Sequence, residues 1–211
     1  MTRLAVGARL LMAVVVLAAL LANAVGAAQY GLLAQNLSYF TTQSNLLFAI
    51  LLPAGAVMAA QRPPWFDDVR GAVAFYLVMT GIVYALLIAP LDELLRWDIG
   101  WTGIVQHRLA PLAALLDWLL VARRRAAPAR RILWWQLYPA LFIALTWGRG
   151  AVTGWYPYAF LDPTASSWAQ VLATTAVVLV AFFAIGAAVH LLEGRLTPRR
   201  SPARSAQRAV P

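Results

Sequence analysis

The sequence predicts an all-α polytopic membrane bundle of six transmembrane helices, with both termini in the cytoplasm. Three observations predict it. Hydrophobic residues make up 62% of the chain and charged residues only 12%, whereas soluble domains carry about 25% charged residues. Six apolar runs each approach the ~20 residues needed to cross a hydrocarbon core. All but three of the 17 basic residues, every one an arginine, fall on one side of the alternating topology these runs define, as the positive-inside rule requires.

The runs are Leu4 to Ala28, Thr42 to Ala60, Gly71 to Pro90, Ile104 to Ala122, Ile132 to Gly148 and Trp168 to Leu192. The first has a competing reading. Arg3 and Arg9, an apolar stretch and the small residues Ala22-Asn23-Ala24 resemble a cleavable signal peptide. The apolar stretch nevertheless continues to Leu33, longer than a signal peptide's core, which favours a retained helix. With the N-terminus inside, only Arg96, Arg108 and Arg149 lie outside. Trp65, Trp97, Trp101, Trp134, Trp135, Trp155 and Trp168 fall near run ends, where amphipathic rings anchor at the headgroup level. Residues 1–194 form the predicted six-helix domain. From Arg195 to Pro211 the chain is rich in Arg, Pro and Ser, too polar to bury its backbone, and reads as a disordered basic tail resting near anionic lipid.

Composition also excludes. The chain has no cysteine, so disulfides and thiol catalysis are out. His107 and His190 have no ligand spacing around them, so neither a metal nor another cofactor is expected. The net charge of +9 lies in loops and tail rather than along a recognition surface, so nucleic acid is not an expected partner. Membrane lipids are. Oligomeric state stays open.

Polar residues crowd one place. Thr41, Thr42, Gln43, Ser44 and Asn45 open the second run. A structural explanation is available: Ser38 or Thr41 caps the helix and the amides bond neighbouring helices. The density of hydroxyl and amide groups exceeds what one cap requires. In the six-run topology His107 opens the fourth helix at the same outer depth. Pro111 cannot donate to the His107 carbonyl four residues back, so a kink is expected there. An imidazole that titrates near neutrality suits a general base, or an interfacial residue bonded to a loop. Asp117 lies about 15 Å deeper on that helix. It is a functional candidate as an intramembrane acid, or a partner of the arginines near Arg123. The later segment Gly154 to Pro163 is aromatic and turn-rich. It reads as a lid with Arg149, Tyr156 or Asp162 facing a substrate, or as an interfacial belt loop.

The stretch Phe40-Thr41-Thr42-Gln43-Ser44-Asn45 resembles the F-T-x-Q-S-N signature of bacterial six-pass membrane proteins. More distantly, the chain resembles the animal androgen-induced-gene family of membrane hydrolases. In that family a histidine precedes a proline-bearing helix with an acid ten residues on, as do His107, Pro111 and Asp117 here. Its W-x-Y-P-F-L segment is similar to Trp155 to Leu161. The resemblance implies a bacterial inner-membrane hydrolase of fatty acyl esters. A threonine would be the nucleophile and His107 the base. The bacterial signature selects Thr41, and the spacing of the animal members selects Thr42. Gln43, Asn45, Asp117, Arg149 and Tyr156 would support an amphipathic ester. The alternative is a lipid-binding or scaffold protein with the same polar mouth and no catalysis.

Overall fold

The computed structural model describes residues 3–58, 63–89, 99–120 and 128–196, the last four without their side chains. Asp92, Glu93, Trp97, the arginines at 62, 96 and 123–125, and the tail 197–211 lie outside the described residues. The elements are α1 (Arg3–Gln29), α2 (Leu33–Leu37), α3 (Phe40–Val57), α4 (Pro64–Val83), α5 (Gly100–Ile104), α6 (Ala110–Leu120), α7 (Arg131–Thr153) and α8 (Trp168–Leu196). A π turn, Tyr84–Ile88, extends α4. A second, Val105–Leu109, joins α5 to α6.

Local chemistry sets these boundaries. Gly31, at φ +71, ends α1 in a Schellman turn: Leu32 N–H donates to the Ala27 carbonyl and Gly31 N–H to that of Ala28. Pro64 opens α4, where its missing N–H costs nothing. The expected kink before Pro111 takes the form of the second π turn. Ala110 N–H reaches back to the Val105 carbonyl instead of Gln106. Pro111 has no N–H to offer, so the Gln106 carbonyl is left without a backbone donor. Gly81 of α4 lies against this turn. A Cβ there would sit 3.1 Å from the His107 carbonyl oxygen.

Among the described residues, four helices and not six are long and apolar enough to cross a membrane: Arg3–Gln29, Phe40–Val57, Pro64–Ile88 and Trp168–Leu192. The stretch 100–120 carries Gln106, His107, Arg108 and Asp117 and is interrupted by its π turn. Helix α7 carries Arg131, Gln136 and Arg149 among amphipathic aromatics. Those groups dilute both below a spanning composition. The six-span bundle is corrected to this count, and the cytoplasmic placement of both termini, which rests on six crossings, falls with it. An all-α, multi-pass membrane bundle stands.

Helix α1 buries one stripe, Arg9, Ala13, Val16, Ala19 and Leu20, against α3, and exposes Leu11, Val14 and Leu21. Such a stripe suits a helix with one protein face and one lipid face. The centre of the bundle is aromatic. Phe75 stacks on Trp135 at 5.9 Å, and Trp118 meets Trp135 edge-on at 6.1 Å. One end holds a buried ionic cluster. Arg70 donates to Asp67 at 3.1 Å and to Asp117 Oδ2 at 2.8 Å, while Arg9 pairs with Asp117 Oδ1 at 2.6 Å. Asp117 therefore joins α1, α4 and α6. The first helix is an integral part of this packing. Gln43, Asn45, Gln136 and Tyr138 also find protein partners, because lipid offers them none.

Candidate functional site

The far end of the bundle is built around the first turn of α3. Tyr39 enters it extended, at φ −73 and ψ 137. Phe40 then inserts among Tyr76, Tyr138, Phe142 and Phe182, at centroid distances of 6.0, 5.2, 5.2 and 6.2 Å. The first N–H groups of any helix lack intrahelical acceptors. Here the Tyr158 phenol lies beside that first turn, near the Phe40 and Thr41 backbone and the Thr41 hydroxyl. The expected cap, Ser38, instead donates to the Ala34 carbonyl at 2.6 Å. Burial pushes the Tyr158 phenol up to about 12, against the opposing pull of the nearby Thr41 and Phe40 groups.

Asn45, fully buried, donates from Nδ2 to the Thr41 carbonyl at 3.0 Å and to the Gln106 carbonyl at 3.2 Å. The second is the acceptor that the π turn and Pro111 leave free. Gln43 donates to the Leu37 carbonyl at 3.1 Å and accepts from the Tyr138 hydroxyl at 2.6 Å. The polar run is thus spent largely on holding α3 to its neighbours.

Beside Thr41 lies a cavity of about 50 Å³ between α3, α4, α7, α8 and the short 3-10 turn Ala159–Leu161. That is room for roughly four water-sized groups. Met79, Val83, Phe142, Ile143, Tyr158, Phe160, Val178 and Phe182 contribute to its wall, with only the hydroxyls of Thr41, Thr80 and Tyr158 as polar groups.

The predicted residues separate. Thr41 is on the cavity wall; His107 is not. The His107 ring stacks on Tyr84, with centroids 3.7 Å apart and planes 18° from parallel, and its Nδ1 is buried without a hydrogen-bond partner. Thr42 is buried beside Thr41 but does not line the cavity. No hydrogen bond links either threonine to His107 among the described residues. The nearest tie runs through Asn45 to the backbone of Gln106. Asp117 belongs to the ionic cluster at the opposite end. Tyr156 packs over Gly150 and is absent from the cavity wall. Asp162 accepts from the N–H and hydroxyl of Thr164 at 2.7 and 2.6 Å, bonds that hold its carboxyl below the usual range. Arg149 lies over the Trp155 ring at 4.6 Å.

Tyr158 is the residue of this cavity wall that the sequence did not single out. The aromatic run Trp155 to Phe160 was its only signal. In a segment without helical or strand period, the turn alone decides which ring points inward, and here that is Tyr158 rather than Tyr156.

No protein-family model matches this chain, and neither the curated proteins nor the solved structures contain a match. The resemblance to six-pass F-T-x-Q-S-N proteins and to the androgen-induced-gene hydrolases is therefore corrected on two counts: among the described residues only four helices are long and apolar enough to span a membrane, and no homologue supports it. The chain is a multi-pass, all-α membrane protein.

Proposed function

We propose that the protein holds the last few carbons of a lipid's apolar chain in the cavity beside Thr41, as a binding protein and not a catalyst. One observation carries this reading: a cavity walled by aliphatic and aromatic side chains opens beneath the loop that carries Tyr158 and Phe160. An apolar cavity of this kind stays dry and takes apolar guests. A chain arriving from the bilayer gains little by the hydrophobic effect, because lipid tails are as apolar as leucine. Selection then rests on packing, for which stacked rings and a branched Ile143 and Val178 provide a shaped surface.

The test is photolabelling in nanodiscs with a fatty acyl chain carrying a terminal diazirine. Label is expected at Phe142, Ile143 and Val178, and is expected to vanish in Val178→Trp, which fills the space. Label distributed evenly over lipid-facing residues such as Val177 and Val180, both 69% exposed, would overturn the reading.

Ester hydrolysis at Thr41 is the second reading, favoured by the position of Thr41 on that wall. It ranks lower because a hydroxyl nucleophile needs a base in hydrogen-bond reach. Among the described residues no hydrogen bond joins Thr41 to His107, whose ring lies on Tyr84.

A further inference from the structure

We propose that Arg149 and Trp155 form a headgroup site for an amphipathic anion, a phosphate or carboxylate on a single alkyl chain. The inference rests on the chain-binding reading and specifies its ligand.

Arg149 and Phe142 lie seven residues apart on α7. That is two turns, so they share a face about 10 Å apart along the axis. Phe142 is on the cavity wall; Arg149 therefore stands just beyond the cavity on the same side of the helix. A row of rings connects the two places. Trp155 meets Tyr39 edge-on at 5.9 Å, Tyr39 meets Tyr158 at 5.6 Å, and Tyr158 reaches Phe142 at 6.3 Å.

The guanidinium is placed, and no carboxylate of the described residues neutralises it. Its carbon sits 4.6 Å from the Trp155 ring centroid, a cation–π contact that fixes position while leaving the charge in place. No carboxylate pairs with it among the described residues, and its Nε is buried with no hydrogen-bond partner. Asp162, the one acid of the adjoining loop, is occupied by Thr164. A planar donor fork of this kind matches the oxygens of a carboxylate or phosphate. The apolar cavity then receives the chain, and the tryptophan covers the junction between them.

The experiment measures binding of dodecyl phosphate, dodecanol and inorganic phosphate to the full chain in nanodiscs, by calorimetry. Wild type is expected to bind dodecyl phosphate about tenfold tighter than dodecanol, the worth of one charged hydrogen-bonded contact. Arg149→Gln should remove that preference and leave dodecanol binding unchanged. Arg149→Lys, which keeps the charge, should retain part of it. That pair separates loss of charge from loss of fold. Equal binding of dodecyl phosphate and dodecanol by wild type, or an undiminished preference in Arg149→Gln, overturns the headgroup site alone. Binding of neither alkyl compound overturns the chain-binding reading and this inference with it. Inorganic phosphate competing as well as dodecyl phosphate overturns the lipid assignment in favour of a free anion.

Discussion

Arg9 and Asp117 stand 108 residues apart in sequence and meet at 2.6 Å. Arg70 grips the other carboxylate oxygen at 2.8 Å, so a single acid is held between guanidinium groups from two other helices. Each charge is costly in such surroundings alone and tolerable only in company.

Breaking that cluster at its centre is expected to be severe. Asp117→Ala leaves two buried arginines without their shared counter-ion and should cost about 3 kcal/mol or more. Thermal unfolding in detergent, followed by tryptophan fluorescence, measures it. Arg9→Gln combined with Asp117→Asn should cost less than the two singles together, since they remove the same interaction. Strict additivity would show that the contact carries no coupling.

The same contact bears on the N-terminal helix. Arg9, 5% exposed, is spent on Asp117, and the stripe from Ala13 to Leu20 is packed on α3. Cleavage near Ala28 would strip both. N-terminal sequencing of membrane-extracted protein is therefore expected to begin before Arg9, and a chain starting at residue 29 should be less stable than Arg9→Gln.

Close approach in the core yields a steric prediction. A Cβ on Gly71 would lie 2.5 Å from the Trp135 ring and 2.7 Å from that of Trp118. Both rings are held on other sides, Trp135 by Phe75 and Trp118 by Arg131, whose guanidinium carbon is 5.3 Å from its centroid. Gly71→Ala is expected to destabilise by about 1–3 kcal/mol, as overpacked cores do. An unchanged melting temperature would mean that the rings yield freely.

Much of this fold is legible in hydropathy, because a lipid-facing helix must be apolar along its length. The four spans are. Helix α4 begins seven residues before the apolar run that announced it, since Asp67 and Arg70 look like loop residues until their buried pairing is known. Asp117 has Arg123 as its sequence neighbour, but tertiary packing gives it Arg9 and Arg70. The π turn was half visible: Pro111 announces a carbonyl without a donor, though not that the freed Gln106 oxygen would go to Asn45. At the site, the crowded hydroxyls and amides were visible and their employment was not. The packing of a tyrosine more than a hundred residues away beside Phe40 and Thr41 leaves no local trace in sequence.

That tyrosine has a pH signature. The Tyr158 phenol is raised from its ordinary value near 10 to about 12 by burial. Between those values the unfolded chain has released this proton and the folded chain has not, so stability present below pH 10 falls as pH rises toward 12. Tyr158→Phe should flatten part of that alkaline decline. An alkaline limb identical to wild type would show that Tyr158 does not titrate with folding.

The two functional readings part at Thr41 and His107. A nucleophile and its base act as one unit, so removing either should abolish turnover, with the second removal adding nothing. A hydroxyl that only lines a cavity wall behaves otherwise. For the binding reading, Thr41→Ala is expected to shift acyl-chain affinity by only a few fold, roughly the worth of one hydrogen bond to its wall. His107→Ala should leave affinity unchanged, because the ring lies on Tyr84 and off the cavity. Neither wild type nor Thr42→Ala should take label from a hydroxyl-directed phosphonate. The decisive contrary result is labelling of wild type at Thr41 or Thr42 that disappears in His107→Ala while the protein stays folded. It would require the imidazole to leave Tyr84 and reach the threonine when an ester is bound. Catalytic hydrogen bonds do tighten in substrate complexes. The Asn45 bond to the Gln106 carbonyl already keeps the two backbones in register. Ester turnover by wild type with loss in both Thr41→Ala and His107→Ala would therefore replace the binding protein with an enzyme built on the same cavity.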